Sequence, residues 1–325
     1  MRKDYATAAS NLLIYAELIH ALRALDAAGV PVMVLKGAAL AVTIYPSIAD
    51  RPMGDADLLV KPEDRERARI ALEAAGHRFA PEPRQSFSPF DTEFTGEMAF
   101  YRHDMLIELH WQLTPSEPLR RMCNLDAESL WHNAQPLALQ DWQTLQLSPC
   151  DTLLHLCLHL TAHGYTHHVG LSDIARLLDY YQPFPWESFV SRAKNARLSC
   201  VSYFVLDAVR RLGRAPVPDG IIEDLRPPPW RRALLGQIAS PRRALAGEIS
   251  YSRQRSYLIQ VASADWLVDV LRLFVWLLFP GPRWLGERYR LRGRMRPLFA
   301  CFWHPMVVFW QGMLALWDVA RRNGS

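Results

Sequence analysis

The chain has 325 residues, half of them hydrophobic and 22% charged, with a formal net charge of +4. This composition excludes a disordered or collagen-like chain, and a balance so mildly basic does not by itself mark a nucleic-acid binder. The length suffices for two domains with buried cores.

The first segment, "MRKDYATAASNLLIYAEL", leads into Leu12, Leu13, Tyr15, Ala16, Ile19, Leu22 and Leu25 at helical spacing, which predicts a helix over residues 6–28. Glu17 interrupts its apolar stretch, so it does not read as a signal peptide. The five cysteines (Cys123, Cys150, Cys157, Cys200, Cys301) form no C-x-x-C pair. That pattern argues for free thiols in a reducing compartment, and a cytoplasmic protein is expected.

After "AAGVP", "VMVLKG" predicts a short buried strand ending in glycine, "AALAVTIY" a helix closed by Pro46, and "PSIADRPMG" a loop into the strand "DADLLV". "KPEDRERARIALEAAG" predicts a helix, with Pro62 near its start and Gly76 as its stop. Strands are expected at "EMAFYR" and "MLIELHWQL". This order suggests an α/β or α+β domain ending near residue 147. From Ser148 and Pro149, placed as an N-cap and first turn, periodicity is helical through most of the remainder, broken at "APVPDG" and "RPPPW".

Asp55 and Asp57 pose a physical problem. Strand side chains alternate, so both carboxylates leave one face of an apolar strand, where like charges resist burial. A divalent metal is the first remedy. Glu108 and His110 share one face of "MLIELHWQL", away from Ile107, Leu109 and Trp111. A third carboxylate on a neighbouring strand would complete a cluster able to hold one or two Mg²⁺ ions against substrate phosphates.

"LKGAAL…Y…RPMGDADLLV" followed by "IELHW" resembles the DNA polymerase β-like nucleotidyltransferase superfamily, and more closely its bacterial nucleotidyltransferase-like branch (the NTP_transf_5 type), over about residues 10–180. The resemblance implies a small mixed β-sheet with flanking helices followed by an all-helical C-terminal half, an α+β fold. The implied division is a catalytic domain at 1–147, a helical domain at 148–245 and a Trp/Arg-rich helical region at 246–325. It implies Mg²⁺ (or Mn²⁺) on Asp55, Asp57 and Glu108, with Glu108 also helping to activate an acceptor hydroxyl. Gly37 and Ala38 would shape a turn whose N–H groups receive triphosphate oxygens. Lys36 and Arg51 would contact phosphates or neutralise the carboxylates.

The implied reaction moves a nucleoside monophosphate from a nucleoside triphosphate, ATP among them, to an acceptor hydroxyl with release of pyrophosphate. The acceptor (small molecule, peptide, lipid or protein) is left open, and nucleic acid is not an expected partner. This chain departs from the family in two places. The superfamily's Gly-Gly or Gly-Ser turn is Gly37-Ala38, and the third acid is Glu where many members carry Asp. A nucleotide-binding or scaffold protein of a membrane-associated biosynthetic system, impaired in turnover, is therefore the runner-up. A metal-dependent phosphohydrolase would use the same carboxylates.

His155, His159 and His163 recur every four residues, without the glutamate of a metalloprotease helix between them. Packing or lining of a cleft is their expected role, with His110, His163 and Asp173 on the acceptor side. Residues 262–325 hold Trp266, Trp276, Trp284, Trp303, Trp310 and Trp317, and a run of Arg283, Arg288, Arg290, Arg292, Arg294 and Arg296. A helical hairpin with tryptophans in its core is the leading expectation. Peripheral contact with the inner face of a membrane is the alternative.

Overall fold

The structure is a computed structural model that describes residues 5–79, 96–114, 116–238, 244, 253–291 and 296–323. The expected boundary at 245/246 lies outside the described residues, as do Arg292 and Arg294 of the basic run. The chain divides into two compact units, one made of Met1–Gln85, Thr95–Pro115 and Asp126–Leu153, the other of Ser86–Phe94, Ser116–Leu125 and Leu154–Ser325.

The first unit carries a seven-stranded mixed sheet: β1 (Met33–Leu35), β2 (Asp55–Leu59), β3 (Arg78–Phe79), β4 (Glu97–Arg102), β5 (Met105–His110), β6 (Gln135–Leu139) and β7 (Trp142–Gln146). Their order across the sheet is β3-β4-β5-β2-β1-β7-β6. β2 runs parallel to β5 and β1 parallel to β7, while the other neighbours are antiparallel. Helices α1 (Tyr5–Ala27), α2 (Lys36–Thr43), α3 (Arg65–Ala74) and α5 (Ala127–His132) belong to this unit, with α4 (Glu117–Met122) in the other. The α+β core expected from sequence is therefore present. The hairpin β6–β7 was not expected.

Strand alternation divides the sheet between two tasks. Ala56 and Leu58 of β2, Ile107 and Leu109 of β5, and Met98 and Phe100 of β4 are buried in one cluster with Ile14, Leu18, Leu22 and Leu25 of α1. Those α1 positions recur at three and four residues, the stripe a helix needs to cover a sheet. Each fully buried Leu or Ile contributes about 1.5–3 kcal/mol against exposure. The opposite parity of the same three strands carries Asp55, Asp57, Glu108, His110 and Glu97.

Asn11 of α1 is fully buried and donates from Nδ2 to the carbonyls of Ile48 (2.5 Å) and Arg51 (2.8 Å). It ties the loop before β2 to the helix and so sets where Arg51 starts.

The second unit is helical: α6 (Pro149–Ala162, entering from the first unit), α7 (His168–Tyr180), α8 (Trp186–Asn195), α9 (Ser199–Arg211), α10 (Asp219–Asp224), α11 (Pro229–Ile238), α12 (Arg253–Ala262), α13 (Leu267–Leu278), α14 (Pro282–Arg288) and α15 (Arg296–Asn323). None of the five cysteines forms a disulfide. His304 of α15 fixes the last three helices: its Nε2–H donates to the Leu277 carbonyl (2.9 Å) and its Nδ1 accepts from the Tyr289 hydroxyl (2.6 Å). Among the described residues no helix is long and apolar enough to cross a membrane.

Four of the six tryptophans stay out of the expected core, while the half-buried Trp276 and Trp284 pack on each other. Trp266, Trp303, Trp310 and Trp317 are 58%, 40%, 65% and 70% exposed. Residue periodicity shows that a helix has an apolar stripe, not what that stripe meets.

Candidate active site

β1 is only three residues long, and the chain reverses at Lys36, whose φ of 42° lies in the left-handed region. That conformation is strained for a non-glycine residue and concentrates at functional sites. It starts α2 at Lys36, so Gly37 and Ala38 are not a free turn after the strand but the first turn of a helix. Its leading N–H groups lack intrahelical acceptors. Gly37 faces Arg51: a Cβ there would stand 2.4 Å from the Arg51 guanidinium. Glycine at this position lets a buried arginine lie against the helix start.

Parallel pairing of β2 with β5 sets Asp57 beside Glu108, two residues along the register from Asp55 beside Leu106. Antiparallel pairing of β5 with β4 sets Glu97 beside His110. Lys36 Nζ donates to Asp57 Oδ1 at 2.6 Å. His110 Nε2 approaches the same oxygen at 2.9 Å and Glu108 Oε2 at 3.4 Å, and His110 Nδ1 faces Glu97 Oε2 at 3.4 Å. Asp57, Glu108 and His110 bring ligand atoms within 4.8 Å of one another. Asp55 is outside that tightest group but shares its field.

Four carboxylates (Asp55, Asp57, Glu97, Glu108) thus face three cations (Lys36, Arg51, His110). Burial alone would raise Asp57, but the Lys36 ammonium and the His110 hydrogen bond outweigh it and hold Asp57 well below the usual carboxylate range. Burial and the charges of Asp57 and Glu108 push Asp55 up to about 7. Burial pushes Glu97 up to about 7 as well, against the pull of His110. Burial opposes the His110 imidazolium, yet its bonds to Asp57 and Glu108 lift it to about 9, so it is charged at neutral pH. Burial also opposes the Lys36 ammonium, and Asp57 and Glu108 more than compensate, raising Lys36 above its ordinary value.

Asp55 and Glu97 are both pushed up towards neutrality because the buried carboxylates outnumber the cations beside them. Hard carboxylate oxygens clustered in that deficit suit Mg²⁺ or Mn²⁺.

Of the residues expected from sequence, Asp55, Asp57, Glu108, His110, Lys36, Gly37, Ala38 and Arg51 all lie in the first unit. His110 is buried among the carboxylates, against Asp57. His163 and Asp173 belong to the second unit. His163 is exposed with its ring 4.4 Å from that of His159, and Asp173 is buried in α7. His167 joins that stack at 4.9 Å from His159. Sequence reasoning missed Glu97 and Asn11. The polar first position of "EMAFYR" and the lone Asn on an apolar helix stripe were their only signals.

Residues 2–213 match the model of a family described as uncharacterised nucleotidyltransferase. No curated protein matches the chain. Among solved structures, the antibiotic-resistance factor ANT(2'')-Ia is 16% identical with a TM-score of 0.31, covering 62% of this chain and 90% of its own. A tRNA-processing enzyme in an apo form is 10% identical with a TM-score of 0.25, covering 92% and 90%.

Proposed function

The chain belongs to this family of nucleotidyltransferases, and on that premise we propose that it transfers a nucleoside monophosphate from a nucleoside triphosphate to an acceptor hydroxyl at Asp55, Asp57 and Glu108. The observation that carries the reading is the parallel register that sets Asp57 beside Glu108 on the face that also bears Asp55. Asp55 and Asp57 would hold Mg²⁺ or Mn²⁺, with Glu108 beside them. The bound cation would neutralise phosphate oxygens and the charge that develops during transfer.

The remaining work falls to the chain. The Gly37 and Ala38 amides, at the positive end of α2, receive phosphate oxygens. Lys36 keeps Asp57 ionised, and Arg51 supplies positive charge beside the helix start. The acceptor oxygen forms its bond to the α-phosphorus as the bond to pyrophosphate breaks, and its proton passes to the Glu108 carboxylate.

Glu108→Gln separates binding from turnover. Metal-dependent NTP binding, followed by calorimetry beginning with ATP, stays within a few fold. Pyrophosphate release falls by roughly 10², the usual scale for losing a general base. Unchanged release would remove Glu108 from proton transfer. The impaired-scaffold reading has one observation in its favour: Lys36 already occupies an oxygen of Asp57. It predicts NTP binding without pyrophosphate release in the wild type.

A second reading concerns the exposed faces of α13 and α15. Phe299, Phe302, Met306, Phe309, Trp310, Met313 and Trp317 recur along one side of α15 at three and four residues, all at least half exposed. With Arg283 and Arg290 exposed on the adjoining segment, this is the composition of a helix lying in the interface of an anionic bilayer. Sedimentation with phosphatidylglycerol vesicles is expected to carry the protein down, and phosphatidylcholine vesicles less. Phe302→Ser/Phe309→Ser/Trp310→Ser would weaken it at least about tenfold. Equal sedimentation of the triple variant would overturn this reading.

A further inference from the structure

A second cluster lies on the α1 side of the sheet, on the parity opposite to the carboxylates. Glu17 and His20 are three residues apart on α1 and so share a helix face. His77 follows Gly76 at the end of α3, where its backbone N–H closes on the Leu72 carbonyl (3.0 Å). Ligand atoms of Glu17, His20 and His77 all fall within 4.8 Å of one another.

We propose that Glu17, His20 and His77 form a transition-metal site, fitted to Zn²⁺ and separate from the carboxylate site. His20 Nδ1 and His77 Nε2 face each other at 3.2 Å. Two nitrogens on a tetrahedral Zn²⁺ at about 2.0–2.1 Å stand about 3.3 Å apart, so this spacing matches one edge of the coordination shell. Two imidazoles and one carboxylate form a borderline donor set that suits Zn²⁺ better than Mg²⁺.

His77 is 1% exposed and its Nδ1 has no hydrogen-bond partner. A ring buried with one nitrogen unsatisfied and the other against a second imidazole gains little from the fold alone. A cation on Nε2 would replace that imidazole contact with a metal–nitrogen bond.

The surroundings orient the carboxylate. Arg102 Nη1 donates to Glu17 Oε2 at 2.7 Å, and His103 Nδ1 meets Oε1 at 2.9 Å. His103 is 71% exposed, at a turn where it and Asp104 both have positive φ, so its side chain can leave Oε1 to a cation or remain as an outer partner.

The test titrates chelator-treated full-length protein with Zn²⁺ alone, followed by calorimetry and by thermal unfolding. Variants are His20→Asn, half-exposed and so tolerant of change, and Asp55→Asn/Glu108→Gln. Wild type should bind one Zn²⁺ that the carboxylate variant retains, with a rise in Tm. His20→Asn should bind it at least about tenfold more weakly and lose the Tm rise. Co²⁺ in the wild type should give the visible absorption of a tetrahedral N/O site, absent from His20→Asn. Wild-type affinity in His20→Asn, or loss of all Zn²⁺ binding in the carboxylate variant, overturns the proposal and assigns the binding elsewhere. Neither outcome bears on nucleotidyl transfer, which the pyrophosphate measurement reads independently.

Discussion

Asp55→Asn is expected to lower metal-dependent nucleotidyl transfer by about 10³-fold, the scale of losing several kcal/mol of charge stabilisation, while leaving the metal-free protein at least as stable as wild type. The two effects share one cause. Burial and the charges of Asp57 and Glu108 disfavour the Asp55 carboxylate, which is why it titrates near 7. A group that the fold resists and a cation would welcome is held for function rather than for stability.

The pH dependence carries a definite sign. Asp55 binds its proton more tightly folded than unfolded, where a carboxylate titrates near 3.9, so its contribution to stability is intact at low pH and is lost as pH rises through 7. In chelating buffer, the stability of Asp55→Asn relative to wild type should therefore grow from pH 5 to pH 8, read by urea unfolding at each pH. A variant less stable than wild type at pH 8 would mean that Asp55 is a structural residue. Unchanged transfer would remove it from the site.

Much of this site is legible in the sequence because period-two alternation is a local rule. It puts Asp55 with Asp57 and Glu108 with His110 without any knowledge of the partner strand. Which strands pair, and in what register, is a long-range fact. Glu97 joins the cluster only because β4 pairs antiparallel to β5 with Glu97 opposite His110. One residue of slip would have turned Glu97 to the α1 face. Asn11 is hidden for the same reason, since its partners, the carbonyls of Ile48 and Arg51, lie about forty residues away.

The fold divides in the same way. Long helices with clear stripes, such as α1, α3 and α6, are readable from periodicity. The hairpin β6–β7 carries little sequence signal although "PLAL" alternates, because its turn at Gln140-Asp141 has no glycine or Asn-Gly pair. Gln140 instead takes a φ of 54° unaided. α2 starts two residues before its sequence expectation at Ala38, because Lys36 adopts a conformation that sequence preference assigns to glycine. In each case a tertiary contact or a strained backbone overrode the local preference.

Lys36 decides between two roles that the sequence left open, phosphate contact or neutraliser. Its Nζ and Asp57 Oδ1 are 2.6 Å apart, with the side chains 13% and 4% exposed. Removing one partner of a buried pair strands the other, at a cost of about 3–5 kcal/mol. Lys36→Met is therefore expected to destabilise the metal-free protein by that amount. Lys36→Met/Asp57→Asn should lose less than Lys36→Met alone, since no uncompensated carboxylate remains. Asp57 is held below its unfolded value, so the stability it contributes is present above about pH 3.9 and is lost as pH falls further, narrowing the gap between Lys36→Met and wild type. Mg²⁺ should recover part of the loss in Lys36→Met, because a cation at the carboxylates replaces the missing ammonium, and recover less in the double variant, which has lost one of the metal's carboxylates. Urea unfolding in chelator and in Mg²⁺ measures all three chains. Should Lys36→Met keep wild-type stability and lose only affinity for the triphosphate, the lysine is a phosphate contact, and Asp57 is held ionised by His110 alone.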